Sequence, residues 1–295
     1  MTRRQADTGG GYADLFADIA ARWRPDPIEA TETITAGPAR DLAALLGTDP
    51  PDDVLPPLWH SVYLLDRPTR AELGDDGHPR DGYLLPPLPE RRRMFGGGVA
   101  EFAAPIRIGE TVTRRSTVAD VRVSEGRSGV LLLVRVRHTY LVDGVERVAD
   151  YHDLVYRDPT AARPASVSDS EDAETPKNVS WRFTLPTDPV TLFRFSALTA
   201  NAHRIHYDHP YATEVEGHPG LLVHGPLLAL AMLELPRRCA PQATVRTYAY
   251  RFRRPCHAGA PVEVTGRRDG ADFLMFAGPS THISGIASLT GPPPQ

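Results

Sequence analysis

Residues 227–233 read LLALAML, an unbroken apolar run that His224-Gly225-Pro226 opens and Leu235 extends. The helix expected over 221–235 carries a single charge, Glu234, near its end, so it has no face to give to water. It falls well short of the ~20 apolar residues that span a bilayer, so protein must surround it. A long β-sheet wrapped around one buried helix meets that requirement.

The rest of the chain supplies sheets, and supplies them twice. Phe102-Ala-Ala-Pro105-Ile-Arg-Ile-Gly109 and Phe252-Arg-Arg-Pro255-Cys-His-Ala-Gly259 share the frame F-x-x-P-x-x-x-G at an offset of 150 (252 − 102 = 150). Alternating strand-like sequence follows each, at 110–113 and 260–264, which points to a duplicated unit. In the first half VADVRV, GVLLLVRVRHTYLV and RVADYHDLVYR are β-rich and separated by turn residues. In the second, 245–252, 262–265, 272–277 and 283–289 play the same part. Helices followed by consecutive antiparallel strands imply an α+β fold with three regions. These are an N-terminal unit over 10–158, a linker over 159–178 rich in Asp, Ala, Ser, Thr and Pro, and a C-terminal unit over 179–292. In the first unit the helical material is short (39–46, with a second apolar run at 58–65). Residues 66–93 read as irregular loop, and Gly96-Gly97-Gly98 as a turn entering a strand. Catalysis is therefore expected in the second unit alone.

Composition removes several functions. A net charge of −4 gives no basic field for nucleic acid. The start of the chain carries two arginines with no apolar core behind them, unlike a secretory signal. Two cysteines, Cys239 and Cys256, argue against a disulfide framework and suit a reducing cytoplasm. The only lysine, Lys177, sits in the linker, so neither a buried Schiff-base lysine nor a P-loop is present. No membrane partner is expected.

Chemistry concentrates between Phe195 and Leu235. Asp188-Pro189 reads as an N-cap and first turn of a helix over 190–198, which delivers Asn201, His203, His206 and Asp208 toward His224-Gly225-Pro226. Titratable groups beside a glycine-opened helix end suit acid–base work on a developing anion. A metal is the obvious rival for His203, His206, Asp208, His218 and His224. HxxH alone is a weak ligand pattern, and neither HExxH nor a cysteine pair accompanies it, so no metal is expected.

Asn201-Ala-His203-Arg-Ile-His206 resembles the D-x-N-P-x-H motif of the MaoC-like hot-dog hydratases, with His224-Gly225 matching the family's oxyanion-glycine segment. The wording FSALTANAHRIHYDHPYA…HGPL is similar to the branch of type 2 hydroxyacyl-thioester dehydratases and mesaconyl-CoA hydratases. The resemblance implies a fused double hot-dog, with two long antiparallel sheets each wrapped around a central helix and a degenerate N-terminal unit. It also implies reversible addition of water to the double bond of an acyl-CoA or acyl-carrier-protein thioester, a (3R)-hydroxy product and no cofactor. A homodimer of such units is compatible with it.

His206 falls on the family's catalytic histidine and Gly225 on its oxyanion donor, while Asn201 stands where the family has a catalytic aspartate. His203 replaces the motif asparagine and Arg204 the proline. An amide can hold water but cannot take its proton, so His206 must carry the transfers or share them. His203, His224, Arg204 and Arg251 are the expected substrate-binding residues, the arginines through carboxylate or phosphate groups. Two rival readings are an acyl-thioester-binding subunit without activity and a hot-dog thioesterase using Glu214 or Glu216.

Overall fold

The computed structural model of the chain describes residues 11–126, 129–159, 176–278, 281 and 283–291. Each half supplies five strands. The first has β1 (Ile28–Thr33), β2 (Arg92–Phe102), β3 (Thr111–Gly126), β4 (Gly129–Val142) and β5 (Val145–Arg157). The second has β6 (Trp181–Leu185), β7 (Thr244–Phe252), β8 (Val262–Asp269), β9 (Asp272–Ala277) and β10 (Ile283–Thr290). Most of the expected linker, residues 160–175, lies outside the described residues.

The sequence predicts two separate sheets, and here the structure differs. All ten strands join one antiparallel sheet in the order β1-β3-β4-β5-β2-β7-β10-β9-β8-β6, because β2 and β7 pair with each other. Read inward from each edge the order is 1-3-4-5-2 and 6-8-9-10-7, the same path with every strand number raised by five. The F-x-x-P frames thus end equivalent strands. At the seam Val99 pairs with Ala249, themselves 150 apart (249 − 99 = 150), so a pseudo-twofold axis passes between them.

The three glycines sit inside β2 and form no turn. The ladder shifts register between Phe95 and Gly97, and Gly97 has φ +139°. A Cβ on Gly97 would overlap the carbonyl oxygen of Tyr250 on β7, and one on Gly98 the carbonyl oxygen of Tyr151 on β5. Glycine lets β2 be gripped from both sides in a conformation other residues avoid.

The apolar run forms α4 (Gly225–Cys239), buried without interruption from Leu227 to Pro236 and packed on β6, β8, β9 and β10. Each fully buried leucine contributes about 1.5–3 kcal/mol relative to exposure. Glu234, 1% exposed, is matched by Arg237 at 2.9 Å and Arg238 at 3.6 Å. Those arginines also bond Thr48 and the Leu46 carbonyl at the end of α2 (Ala36–Leu46), tying the halves together.

Among the described residues the first half has no counterpart to α4. Its α1 (Tyr12–Arg22) rests on β3 and β4, while α2 packs on α3 (Pro189–Leu198) and on the 3-10 turn Trp59–Val62. That turn is all the helix the run 58–65 makes. Two prolines precede it, and Leu58 and Leu64 take left-handed φ values of 66° and 52°. No helix among the described residues is long and apolar enough to cross a membrane.

Candidate active site

Asp188 caps α3 as expected, its Oδ1 accepting from the N–H groups of Val190 and Thr191. The chain leaves α3 through Ala200 at φ 51°, and Asn201 Oδ1 accepts the His203 N–H at 3.0 Å, closing a tight turn. Arg204–His206 then form one 3-10 turn. The Leu222 N–H donates to the Ile205 carbonyl, and His206 Nδ1 lies 2.9 Å from the Leu222 carbonyl. A carbonyl only accepts, so Nδ1 carries the hydrogen and Nε2 keeps a lone pair. Backbone bonds from Val223 to Cys256 and from Ala258 to Leu221 fix residues 221–223 against the loop after β7. The next residue, His224, is the N-cap of α4.

The histidines of the motif meet ring to ring. His206 stacks on His224 with centroids 3.7 Å apart, and His203 stands perpendicular to His206 at 5.6 Å. His224 is fully buried, with Nε2 2.9 Å from Ser196 Oγ. Burial pushes His206 down to about 4, against a smaller opposing effect of its bond to Leu222. Burial likewise holds His203 and His224 well below the usual imidazole range. All three are neutral at pH 7, so their stacking costs no charge repulsion.

Residues 66–93, an irregular loop by sequence, close over this turn. Gly77 (φ +88°) lies so near Ala202 that a Cβ would overlap its carbonyl, and the Arg204 N–H donates to the Asp76 carbonyl. Asp76 Oδ2 accepts from His78 Nδ1 at 2.9 Å, and the His78 ring lies 3.9 Å from that of His203. Arg204, expected to bind substrate, is engaged instead with Asp208 at 2.8 Å, the Asp75 carbonyl and the Tyr211 ring. Among the described residues the group that could hold a metal is Asp76, His78 and His203, with donor atoms within 4.8 Å of one another. Two of those three are already paired by a hydrogen bond.

A cavity of about 220 Å³ lies where the halves meet. Asn201, Pro226 and Tyr250 from the second half face Leu58, Phe95 and His152 from the first. Gly225 borders the same region: a Cβ there would come within 3.2 Å of Phe252 and 3.3 Å of Phe95. His206 and His224 are not among the residues that border the cavity.

The type 2 hydroxyacyl-thioester dehydratase family profile matches residues 58–258, about two thirds of the chain. A mesaconyl-C(4)-CoA hydratase from Chloroflexus aurantiacus is 40% identical over 264 residues, covering 86% of this chain and 92% of the relative. Among solved structures, a MaoC-like dehydratase from Phytophthora capsici superposes with TM-score 0.65 at 14% identity, over 93% of this chain and 97% of that one. A Mycobacterium tuberculosis protein with a double hot-dog fold does so with TM-score 0.54 at 14% identity, over 92% and 98%. The chain belongs to the type 2 hydroxyacyl-thioester dehydratases. Its fold is a fused double hot-dog, and it is a hydro-lyase, a hydratase/dehydratase of acyl-CoA thioesters.

The first half also contributes residues to this cavity. On β5, Asp150 and His152 point to the same side of the sheet and border the cavity. Asp150 Oδ2 receives His152 Nε2 at 3.2 Å and His60 Nε2 at 3.3 Å. Burial works to raise this carboxyl, but the two histidines outweigh it and hold it well below the usual range. The sequence carries the signal in Asp150-Tyr-His152, a polar pair at period two on an otherwise apolar strand face. Arg251 departs from its expected role: it is exposed on the face of β7 opposite Tyr250, away from the cavity. Glu214 is also exposed, and neither it nor Glu216 borders the cavity.

Proposed function

We propose that the chain hydrates a short α,β-unsaturated acyl-CoA, and runs the reverse dehydration, with His206 as the base toward water. The observation that carries this reading is the state of His206. Its Nδ1–H is committed to the Leu222 carbonyl, Nε2 has no partner among the described residues, and its ring stacks on the residue that precedes Gly225. With the acyl group in the cavity and the thioester carbonyl at Gly225, a water at the cavity edge adds its oxygen to Cβ, and its proton reaches His206 Nε2, outside the lining, directly or through a second water. The π electron pair moves onto the carbonyl as an enolate, received by the Gly225 N–H at the positive end of α4. Asn201 has spent Oδ1 on the turn, which leaves its Nδ2 hydrogens to hold the water.

Cavity size supports a short acyl group. At about 220 Å³ the cavity lies below the ~300–1,000 Å³ usual for small-molecule sites. Mesaconyl-C(4)-CoA, named by the relative at 40% identity, is the first substrate to try. Hydration of crotonyl-CoA and mesaconyl-C(4)-CoA, followed as loss of enoyl-thioester absorbance, tests the reading with wild type beside His206→Ala. Wild-type turnover and a fall of ~10²–10⁴-fold in the variant are expected. Equal rates would remove His206 from the chemistry, and binding of both thioesters without turnover by the wild type would favour an acyl-binding subunit.

A further inference from the structure

Hydration needs two proton positions, one at the attacking water and one at Cα, and Asn201, the motif residue on the cavity wall, takes up no proton. Asn201 stands where the family carries a carboxylate. On the wall facing it is the Asp150–His152 pair of β5.

The members of that cluster are not equivalent. The side chains of Asp150 and His60 are 2% and 3% exposed, whereas that of His152 is 31% exposed. His60 is packed against Tyr140 with ring centroids 4.5 Å apart, a brace inside the core. Of the two that border the cavity, His152 is the more exposed. Its Nε2 is committed to the Asp150 carboxylate, and Nδ1 has no hydrogen-bond partner among the described residues. The Phe95 ring lies edge-on to His152 at 5.3 Å, and the same ring would touch a Cβ on Gly225 at 3.3 Å. One phenyl ring therefore separates His152 from the helix end that receives the enolate.

We propose that His152, oriented by Asp150, is the second acid–base group of the reaction and delivers the proton to Cα. This rests on the hydratase site described above and assigns the partner that Asn201 cannot be. The balance is complete with one water. The water oxygen bonds Cβ, its proton goes to His206 Nε2, and the π pair reaches the thioester oxygen. His152 Nδ1–H then gives its proton to Cα as the carbonyl re-forms, and solvent exchange moves one proton off His206 and one back onto His152. In dehydration the same groups act in reverse. A buried carboxylate behind the ring fixes its orientation and balances the imidazolium, as a third group does for the base in nucleophile–base systems.

The experiment compares wild type, His152→Ala and His152→Gln on crotonyl-CoA and mesaconyl-C(4)-CoA, with imidazole added to the alanine variant and exchange of the Cα proton of the 3-hydroxyacyl-CoA followed in heavy water. Circular dichroism checks the fold. The expected result is a ~10²–10³-fold fall in hydration of both substrates and matching loss of Cα exchange, with imidazole restoring both in His152→Ala. Glutamine, which fills similar space at this partly exposed position, should be as inactive as alanine and unresponsive to imidazole. Rates within about twofold of wild type would overturn the proposal, as would a loss confined to mesaconyl-C(4)-CoA, which would make His152 a reader of the second carboxylate. Failure of the wild type to hydrate either thioester would instead remove the underlying hydratase reading, and this assignment with it.

Discussion

The two halves follow one strand path and spend it differently. In the second half, strands of five to eight residues pack against α4, and the start of that helix, with its histidine turn, bears His206, the proposed base. In the first half β3, β4 and β5 run to 16, 14 and 13 residues, and no helix like α4 lies on them. Where that helix is missing, the 3-10 turn Trp59–Val62 and β5 border a cavity. Duplication thus lets one copy keep a buried helix whose free N–H groups can receive an anion. The other copy lacks such a helix, and the space there is the cavity proposed for substrate, with Asp150 and His152 on its wall.

That division depends on the seam, so the largest effect should come from breaking it. Gly97→Ala puts a Cβ onto the Tyr250 carbonyl at φ +139°. Neither the clash nor the dihedral can be relieved without moving β7. A loss of about 4 kcal/mol or more is expected, lowering Tm by roughly 10 °C. Trp59 in one half and Trp181 in the other allow unfolding to be followed by fluorescence, and a single earlier transition is expected. A variant that melts with wild type would show that the seam does not hold the halves together.

The contrast between the halves was only partly legible in the sequence. The F-x-x-P-x-x-x-G echo located the equivalent strands, and the all-apolar run located α4, because burial on every side leaves no other reading. Asp188-Pro189 announced the cap of α3 from local chemistry alone. What stayed hidden depends on long-range pairing. Gly96-Gly97-Gly98 has turn composition, and only the approach of β7 from 150 residues away explains it as strand. The closure of residues 66–93 over the motif rests on a backbone bond from Arg204 to Asp76, which no local pattern encodes. Arg204 and Arg251 have the charge a ligand site wants, but one is engaged by Asp208 and the other faces outward. Asp150 and His152 were visible as a polar pair on an apolar face, and what they face depended on the missing helix.

Acid separates the His206 turn from Asp150 next, because the two should lose their contributions in different pH windows. His206 titrates near pH 6.5 when unfolded and is pushed down to about 4 in the fold. Between those values the unfolded chain binds a proton that the folded chain refuses. Stability is therefore complete above about pH 6.5 and falls as pH drops toward 4, by roughly 3 kcal/mol from this group. His203 and His224, and His78 and His138 of the first half, are shifted in the same direction and steepen the loss. Asp150 is depressed as a carboxyl, so its contribution survives that window and is lost only below about pH 4, the unfolded aspartate value. Denaturant titrations from pH 8 to pH 3 should show the first loss flattened in His206→Gln and the second flattened in Asp150→Asn. A first loss of the same slope in His206→Gln would mean that other groups dominate it.

The smallest effect asks whether the work of the two walls can be exchanged. Asn201→Asp is nearly isosteric, and Oδ1 can still accept the His203 N–H that closes the turn, so the backbone has no reason to move. What changes is the second atom, from an amide nitrogen that donates to an oxygen that accepts a proton, the group the family motif carries there. In an otherwise wild-type chain the new carboxylate shares the cavity with the Asp150–His152 pair, and little gain is expected. In the His152→Ala background the cavity has lost its proton carrier, and Asn201→Asp should return about tenfold of the missing rate, close to 1.4 kcal/mol of barrier. The double variant is then measured against His152→Ala on crotonyl-CoA. A tenfold recovery would show that the second half can take back the proton transfer assigned to the first. No recovery, with the fold intact, would mean that position 201 no longer lies where a carboxylate can reach the reacting carbon, and that the loss of the family aspartate came with a change in how the substrate sits.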